Sequence, residues 1–215
     1  MKEYHDSAIA IERIHFPKTD RVVDPKKQEA FHHLQGDGHL LVTAPHAVRY
    51  GTRKKPQPSA ETTGAIAFLL HETCHCHMLA LRKFYGGDPE QDASCIFKEK
   101  MAEIIAEESI CLVLNIGTLP AISPYDAEVS VIVPGKQKKA ESIIKHSCQN
   151  LGDIIIDGAK SFSPNSVSGR ALLNGAGAIE FSLKKSFRVP RQNPSGFNGL
   201  MAALIDFVHN YGLDI

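Results

Sequence analysis

The sequence has no excess of charge of either sign and no long hydrophobic run, and each absence excludes a class of protein. Lysine and arginine number 24, as do aspartate and glutamate, so no net positive field attracts nucleic acid or an anionic membrane. No apolar run reaches the roughly 18 residues that a membrane-spanning helix needs. We therefore expect neither nucleic acid nor a membrane as a partner.

The cysteines also lack a pattern, because no paired Cys-x-x-Cys spacing occurs among them. An odd set of five fits reduced thiols better than a disulfide framework. The segment from Met1 to Asp6 is polar and mixed in charge, without the apolar core of a secretory signal. These features lead us to expect a cytoplasmic protein.

The chain is long enough to bury a substantial core. It has 215 residues, of which 43% are hydrophobic and 22% charged, an ordinary globular composition. It contains no internal repeat, no low-complexity tract and no long linker. We predict a single domain over residues 1–215.

Apolar runs of strand length alternate with segments of helix length, which is typical of an α/β fold with a mostly parallel sheet between helices. Strands are predicted at Leu40 to Ala44, Cys76 to Leu81, Ile110 to Ile116, Glu128 to Val133, Ile154 to Ile156 and Ala178 to Leu183. Helices are predicted at Glu61 to Glu72, Ile96 to Glu108, Lys136 to Asn150 and Gly199 to Tyr211. Two weaker signals predict an edge strand from Ala8 to Phe16 and a short helix from Asp24 to Leu34. The predicted architecture is a three-layer αβα domain with a mixed, mostly parallel central sheet.

Three polar residues stand where such a fold places its ligands, just outside the carboxyl ends of strands. His46 leaves the first core strand behind Pro45, Glu61 begins the next helix, and Glu180 lies inside an apolar run. Imidazole and carboxylate are suitable zinc ligands, and a buried carboxylate such as Glu180 could take the proton from a metal-bound water. The alternative is structural: a turn histidine, a carboxylate favoured by a helix dipole and an outward strand residue.

The segment from Thr73 to His77 carries two cysteines and two histidines, all of them good zinc ligands. If the segment enters a strand, Cys74 and Cys76 face one way while His75 and His77 face the other. The paired modules of a structural zinc site are also missing. We therefore prefer a structural interpretation, with a metal role as the less favoured alternative.

Several short segments, taken in order, resemble the N-formylglutamate amidohydrolase family, which is related in fold to zinc carboxypeptidases. They are Leu41 to His46, Ser59 to Gly64, Gly87 to Pro89, Leu112 to Asn115 with Pro124 to Asp126, and Ala178 to Ser182. The resemblance implies a zinc carboxypeptidase-like fold, with His46 and Glu61 as zinc ligands and Glu180 as the general base.

The sequence departs from that family after its central strand, where the family has a histidine in a stretch resembling Asp-Leu-His-Gly. Here the chain reads Leu114-Asn115-Ile116-Gly117-Thr118, so the third zinc ligand is missing. Asn115 offers only a neutral carbonyl oxygen, a weak ligand for zinc. Either another residue completes the site, or the metal is weak or absent.

The resemblance also draws attention to two arginines, because a guanidinium grips a carboxylate with two hydrogen bonds. Arg170, in the segment that begins at Asn165, resembles the family's substrate-binding loop. Arg82 ends a strand before Gly87 and Asp88, similar to a carboxypeptidase pattern in which an arginine polarises the scissile carbonyl. The interpretation as ordinary surface arginines is the favoured one for each of them.

Taken together, these patterns predict zinc-dependent hydrolysis of a C–N amide bond in an N-acyl amino acid or a small peptide-like substrate. The expected partner is a small molecule that carries a carboxylate, and a homo-oligomer is left open. The alternative is a non-catalytic member of the same fold that binds a small acidic ligand without metal. Fold alone does not decide between the two.

Overall fold

A seven-stranded sheet lies at the centre of the protein, of which the structure, a computed structural model, describes residues 3–17, 30–52, 54–84, 86–157 and 161–212. The strands are β1 (Phe31–Leu34), β2 (Leu40–Ala44), β3 (Tyr50–Thr52), β4 (Lys55–Gln57), β5 (His77–Leu81), β6 (Leu112–Thr118), β7 (Ala127–Ile132), β8 (Ile154–Asp157) and β9 (Gly177–Leu183). The helices are α1 (His5–His15), α2 (Thr63–Cys74), α3 (Ile96–Glu107), α4 (Gln137–Ser147), α5 (Val167–Leu173), α6 (Lys185–Arg188) and α7 (Pro194–Gly212).

The main sheet has the order β1-β5-β2-β6-β9-β7-β8, and β3 and β4 form a separate hairpin. Four neighbouring pairs are parallel, and β1 with β5 and β7 with β9 are antiparallel. Helices α1, α2, α4 and α7 contact one another on one face, while α3 and α5 pack together on the other. The predicted mixed, mostly parallel sheet between helical layers is confirmed.

The central strands are continuously apolar because helices cover both of their faces. Every residue of β2 and of β5 is buried, as are the first five residues of β6. Strand β7, nearer the edge, alternates between buried and half-buried residues. This burial explains why the apolar runs located most of the core strands in the sequence.

The prediction of an edge strand from Ala8 to Phe16 is wrong, because α1 occupies most of this segment. Its inner face carries Tyr4, Ala8 and Ile11, which pack on the hydrophobic core. Their spacing of four and three residues is helical. The short helix predicted from Asp24 to Leu34 is also wrong over residues 31–34, which form β1 antiparallel to β5, while residues 24–29 lie outside the described part of the chain.

The segment from Thr73 to His77 does not enter a strand as an alternating run. Cys74 is the last residue of α2, His75 caps the helix with a left-handed φ of 54°, and β5 starts only at His77. The alternation of side chains expected from a strand therefore does not apply to the two cysteines.

Within the described ranges, no helix combines the length and the apolar character needed to cross a membrane.

Candidate functional site

Three polar side chains form a row across β2, β6 and β9, near the carboxyl end of β2 and at the centres of β6 and β9. Thr43 is aligned with Asn115, and Asn115 with Glu180. Aligned residues of neighbouring strands point to the same face of the sheet. Thr43 and Asn115 are almost fully buried, at 0% and 1% exposure. We call the row of Thr43, Asn115 and Glu180 the floor of the candidate site.

Asn115 connects this floor to Glu90, a residue of the loop that precedes α3. The Thr43 hydroxyl donates to Asn115 Oδ1 at 2.9 Å, and Asn115 Nδ2 donates to Glu90 Oε1 at 2.8 Å. The backbone N–H of Val167 donates to Glu90 Oε2 at 3.0 Å. Both ends of the Asn115 amide are thus engaged within the chain, so the residue acts as a connector.

Glu180 is held at the same place by two hydroxyl groups. Ser168, on α5, donates to Glu180 Oε2 at 3.1 Å, and Ser182 donates to Oε1 at 3.2 Å. Burial raises the pKa of Glu180, and the nearby charge of Glu90 raises it further, against the two hydroxyl hydrogen bonds and His46, which lower it. A carboxyl group with a raised pKa is a candidate for proton exchange with a bound molecule.

His46 follows β2 and is held by two partners. Its Nε2 lies 2.8 Å from Asp88 Oδ1, and its ring stacks on Tyr50 with centroids 3.6 Å apart and planes 14° apart. Burial acts to raise the pKa of Asp88, but the hydrogen bond and charge of His46 outweigh it and leave that pKa below its usual value. Because the ionised carboxylate accepts, Nε2 carries the proton and the lone pair of a neutral ring lies on Nδ1, the tautomer in which a carboxylate orients a metal-ligating histidine.

Glu61 lies in the turn just before α2, and the structure gives it a cationic neighbour. Its Oε2 is 3.6 Å from Lys185 Nζ. The charge of Glu61 also acts on Arg188, whose pKa is lowered mainly by burial. The backbones of the two predicted ligands approach one another, since Ala60 N–H donates to His46 O at 2.7 Å, but each side chain has a partner of its own.

The resemblance puts the family's third ligand at Ile116 or Gly117, and Gly117 lies on the same strand as Asn115, two residues further along. A Cβ built there would lie 3.3 Å from Ser182 Oγ and 3.7 Å from Glu180 Oε1. A side chain at this position would therefore point toward Glu180. Ile116 points to the opposite face and is fully buried.

These residues do not fit a resident catalytic zinc, which needs three protein ligands. His46 keeps Nδ1 available, but Glu61 is paired with Lys185, and Gly117 has no side chain to serve as a third ligand. Throughout the described residues, no group of three His, Cys, Asp or Glu side chains could hold a metal ion.

The remaining predicted residues are spread around this centre. Arg82 lies at the end of β5. The pKa of His32 is lowered to about 4, mainly by burial and to a smaller extent by the charge of Arg82. Arg170 is on α5 with Ser168, and its buried Nε has no hydrogen-bond partner in the part of the chain that is described. Asn165 is exposed, and its backbone carbonyl accepts a hydrogen bond from the buried Lys98. Their roles toward a substrate stay predictions.

Sequence reasoning missed Asp88, Glu90 and Tyr50. Asp88 belonged to a segment that carried the family resemblance, Gly87 to Pro89, yet it was given no role. Glu90 and Tyr50 carried no signal, because both reach the site from loops or a hairpin whose path the local pattern does not define. Their contribution is visible only in three dimensions.

The fold is similar to those of solved amide and peptide hydrolases. No protein-family model matches the chain, and no curated protein matches it in sequence. The relationship is therefore one of structure at low sequence identity.

Among the similar solved structures is the N-formylglutamate amidohydrolase from Ralstonia eutropha JMP134, with a TM-score of 0.54 and 12% identity over 86% of this chain and 99% of that one. A bacteriophage poly-gamma-glutamate hydrolase has a TM-score of 0.53 and 12% identity over 87% and 93% of the two chains. A metallo-carboxypeptidase from Burkholderia cenocepacia has a TM-score of 0.52 and 10% identity over 96% and 69%. The chain thus shares its fold with amide and peptide hydrolases.

Proposed function

We propose that this chain binds a small molecule with a carboxylate, of the N-acyl amino acid type, beside Glu180 and His46, and does so without a resident zinc ion. The observation that carries the proposal is Gly117. The fold's third ligand position faces Glu180 but offers no donor atom, while the polar residues around it keep an ordered hydrogen-bond network. The site has kept its polar groups without a complete set of zinc ligands.

The hairpin of β3 and β4 supports an acidic ligand. Tyr50 ties it to the site by stacking on His46, and Gly51 N–H donates to Gly87 O at 2.9 Å. Its outer end carries Lys54 and Lys55, both exposed. Two positive charges on a hairpin anchored beside the site attract an anion at short range.

The groups at the floor suit an amide or acyl oxygen in the same ligand. Glu180 has a raised pKa, so its protonated form can donate a hydrogen bond to a carbonyl. Arg170, whose buried Nε lacks a partner within the described chain, has donors to offer a carboxylate. In this proposal, the acyl oxygen accepts from Glu180 and the carboxylate accepts from Arg170.

The second candidate is zinc-dependent hydrolysis of the C–N amide bond in such a molecule. Glu180 favours it, because a buried carboxyl with a raised pKa is what a general acid or base requires. The incomplete set of zinc ligands described above argues against zinc-dependent hydrolysis.

Calorimetry with N-formyl-L-glutamate on chelator-treated protein separates the two candidates. We expect saturable binding without zinc and no release of glutamate when zinc is added. Arg170→Gln should weaken binding at least fivefold, whereas Lys138→Gln, which removes one charge from the surface of α4, should leave it unchanged. Absence of binding rejects the proposal, and zinc-dependent release of glutamate establishes the second candidate in its place.

A further inference from the structure

A cavity of about 310 Å³ lies between helix α1 and the segment that follows α6. Much of its wall is formed by apolar side chains, those of Ala8, Ile9, Phe16, Val189 and Pro190. The volume is in the range of small-molecule sites, and a wall of this kind favours a ligand with an apolar body. None of these five residues belongs to the site around Glu180.

Two arginines line the same cavity, one from each of the two segments. Arg13 lies on α1, and Arg191 directly follows Val189 and Pro190. Both side chains are exposed, and neither has a hydrogen bond or an ion pair within the described part of the chain. A guanidinium binds a carboxylate with two parallel hydrogen bonds, so both arginines have donors to offer an acid.

Two carboxylates also line the cavity, but other groups of the chain already engage them. Glu12 Oε1 accepts a hydrogen bond from the backbone N–H of Thr62 at 3.1 Å, and Glu61 Oε2 lies 3.6 Å from Lys185 Nζ. Burial lowers the pKa of Arg188, and the charges of Glu61 and Glu12 act in the opposite direction. Both carboxylates therefore lie near this guanidinium, which is 5% exposed.

The charges around the cavity leave a positive excess among the described residues. The two carboxylates are offset by Lys185 and Arg188, and the two arginines of the wall, Arg13 and Arg191, have no counter-charge. A cation would be repelled here, and a zwitterion would leave the excess unchanged. An anion with one carboxylate reduces the excess, so charge and apolar wall together select an acid with an apolar tail.

We propose that this cavity binds a small carboxylic acid with an aliphatic tail, of which octanoate is the example. The tail packs against Ile9, Phe16 and Val189, and the carboxylate accepts hydrogen bonds from Arg13 and Arg191. This site is additional to the one around Glu180, because its ligand carries no amide group and its wall shares only Glu61 with the predicted zinc ligands.

The test is calorimetry of the full chain with octanoate, below the concentration at which it forms micelles, and with three related molecules. Octanoate should bind saturably, one molecule per chain. Octylamine, which has the same tail and the opposite charge, and 1-octanol, which has no charge, should each bind at least tenfold more weakly. Hexanoate should bind more weakly by up to about fourfold for each methylene removed.

The two arginines are tested by Arg13→Gln and Arg191→Gln, each of which should weaken octanoate binding at least fivefold. Both side chains are exposed, so the variants should fold, and thermal unfolding checks that they do. The matched control is Lys145→Gln, which removes a positive charge from an exposed position of α4 outside the cavity. This change should leave octanoate binding as it is in the parent.

Three results would overturn the proposal: no binding of octanoate by the parent, equal binding of octanoate and octylamine, or unchanged binding by a folded variant that carries both arginine substitutions. Arg170→Gln, which should weaken binding of N-formyl-L-glutamate, should leave octanoate binding unchanged. The two proposals therefore fail independently of each other.

Discussion

The imidazole of His46 is held by two contacts: its Nε2 lies 2.8 Å from Asp88 Oδ1, and its ring stacks on Tyr50. The hydrogen bond to the carboxylate fixes the tautomer and the orientation of the ring, and it leaves the lone pair on Nδ1.

Asp88→Asn should reduce stability at neutral pH by about 1.5–3 kcal/mol, the usual contribution of a hydrogen bond to a charged group. The folded-state pKa of Asp88 lies below its ordinary value of 3.8. Its contribution is therefore present above that value and is lost as pH falls through the folded-state pKa. Urea denaturation at pH 7, 5 and 3 measures the free energy of unfolding of parent and variant. The difference between them should become smaller only at pH 3. A difference that is the same at all three pH values would contradict the stabilising role of the ionised Asp88 carboxylate.

Glu180→Gln should make stability less dependent on pH. The pKa of Glu180 is raised in the folded state, so its contribution is greatest below the unfolded-state pKa and is lost as pH rises through the folded-state pKa. The variant keeps the shape of the side chain, and its free energy of unfolding should gain on that of the parent as pH rises from about 4.3, the ordinary pKa of a glutamate, through the raised folded-state pKa. Thermal unfolding across this range measures the difference.

The matched control for this change is Glu128→Gln, which replaces a half-buried carboxylate on β7. Glu128→Gln should show no such gain in stability over the parent as pH rises. If Glu180→Gln instead loses stability relative to the parent as pH rises, Glu180 is stabilised as an anion, and the raised pKa assigned to it is wrong.

Gly117→His should bind zinc more tightly than the parent, because the new side chain points toward Glu180. Ile116→His should not, because Ile116 is fully buried on the other face, and it should lose about 2–4 kcal/mol of stability. Calorimetry with zinc and thermal unfolding of both variants give the comparison.

Lys185→Ala added to Gly117→His should strengthen zinc binding further, because it frees Glu61 from its ion pair. If neither single nor double variant gains affinity, the missing histidine is not what prevents zinc binding. The assignment of Gly117 to the family's histidine position would then be withdrawn.

Lys98→Met should destabilise the fold by about 1–3 kcal/mol, the cost of leaving buried polar groups unpaired. Lys98 is 1% exposed and donates to the backbone carbonyls of Asp92 and Asn165. Lys100→Met is the control: its amine pairs with Glu103 at the surface, and the change should stay within about 0.5 kcal/mol. Equal losses in the two variants would contradict the structural role of Lys98.

The sequence predicted the core strands well because burial on both faces leaves a continuous apolar run, as in Leu40 to Ala44, whose predicted and observed bounds agree. The sequence did not predict α1, because the apolar residues there, among them Ala8 and Ile11, resembled the weak alternation of an edge strand. Within the site, His46, Asn115 and Glu180 could be predicted because they follow or occupy strands. The pairing of Glu61 with Lys185 could not, because it depends on the path of a distant turn. Asp88 and Glu90 likewise reach the site through tertiary structure.

Strand β9 is the last strand of the chain, yet it lies between β6 and β7. During synthesis, β6 and β7 cannot become part of one sheet until β9, residues 177–183, has left the ribosome. Most of the chain has been made by then. Pairings between such distant segments form slowly. A nascent or truncated chain that ends before Gly177 presents two unpaired strand edges, which invite association with other chains. Completion of the sheet is thus tied to completion of the polypeptide.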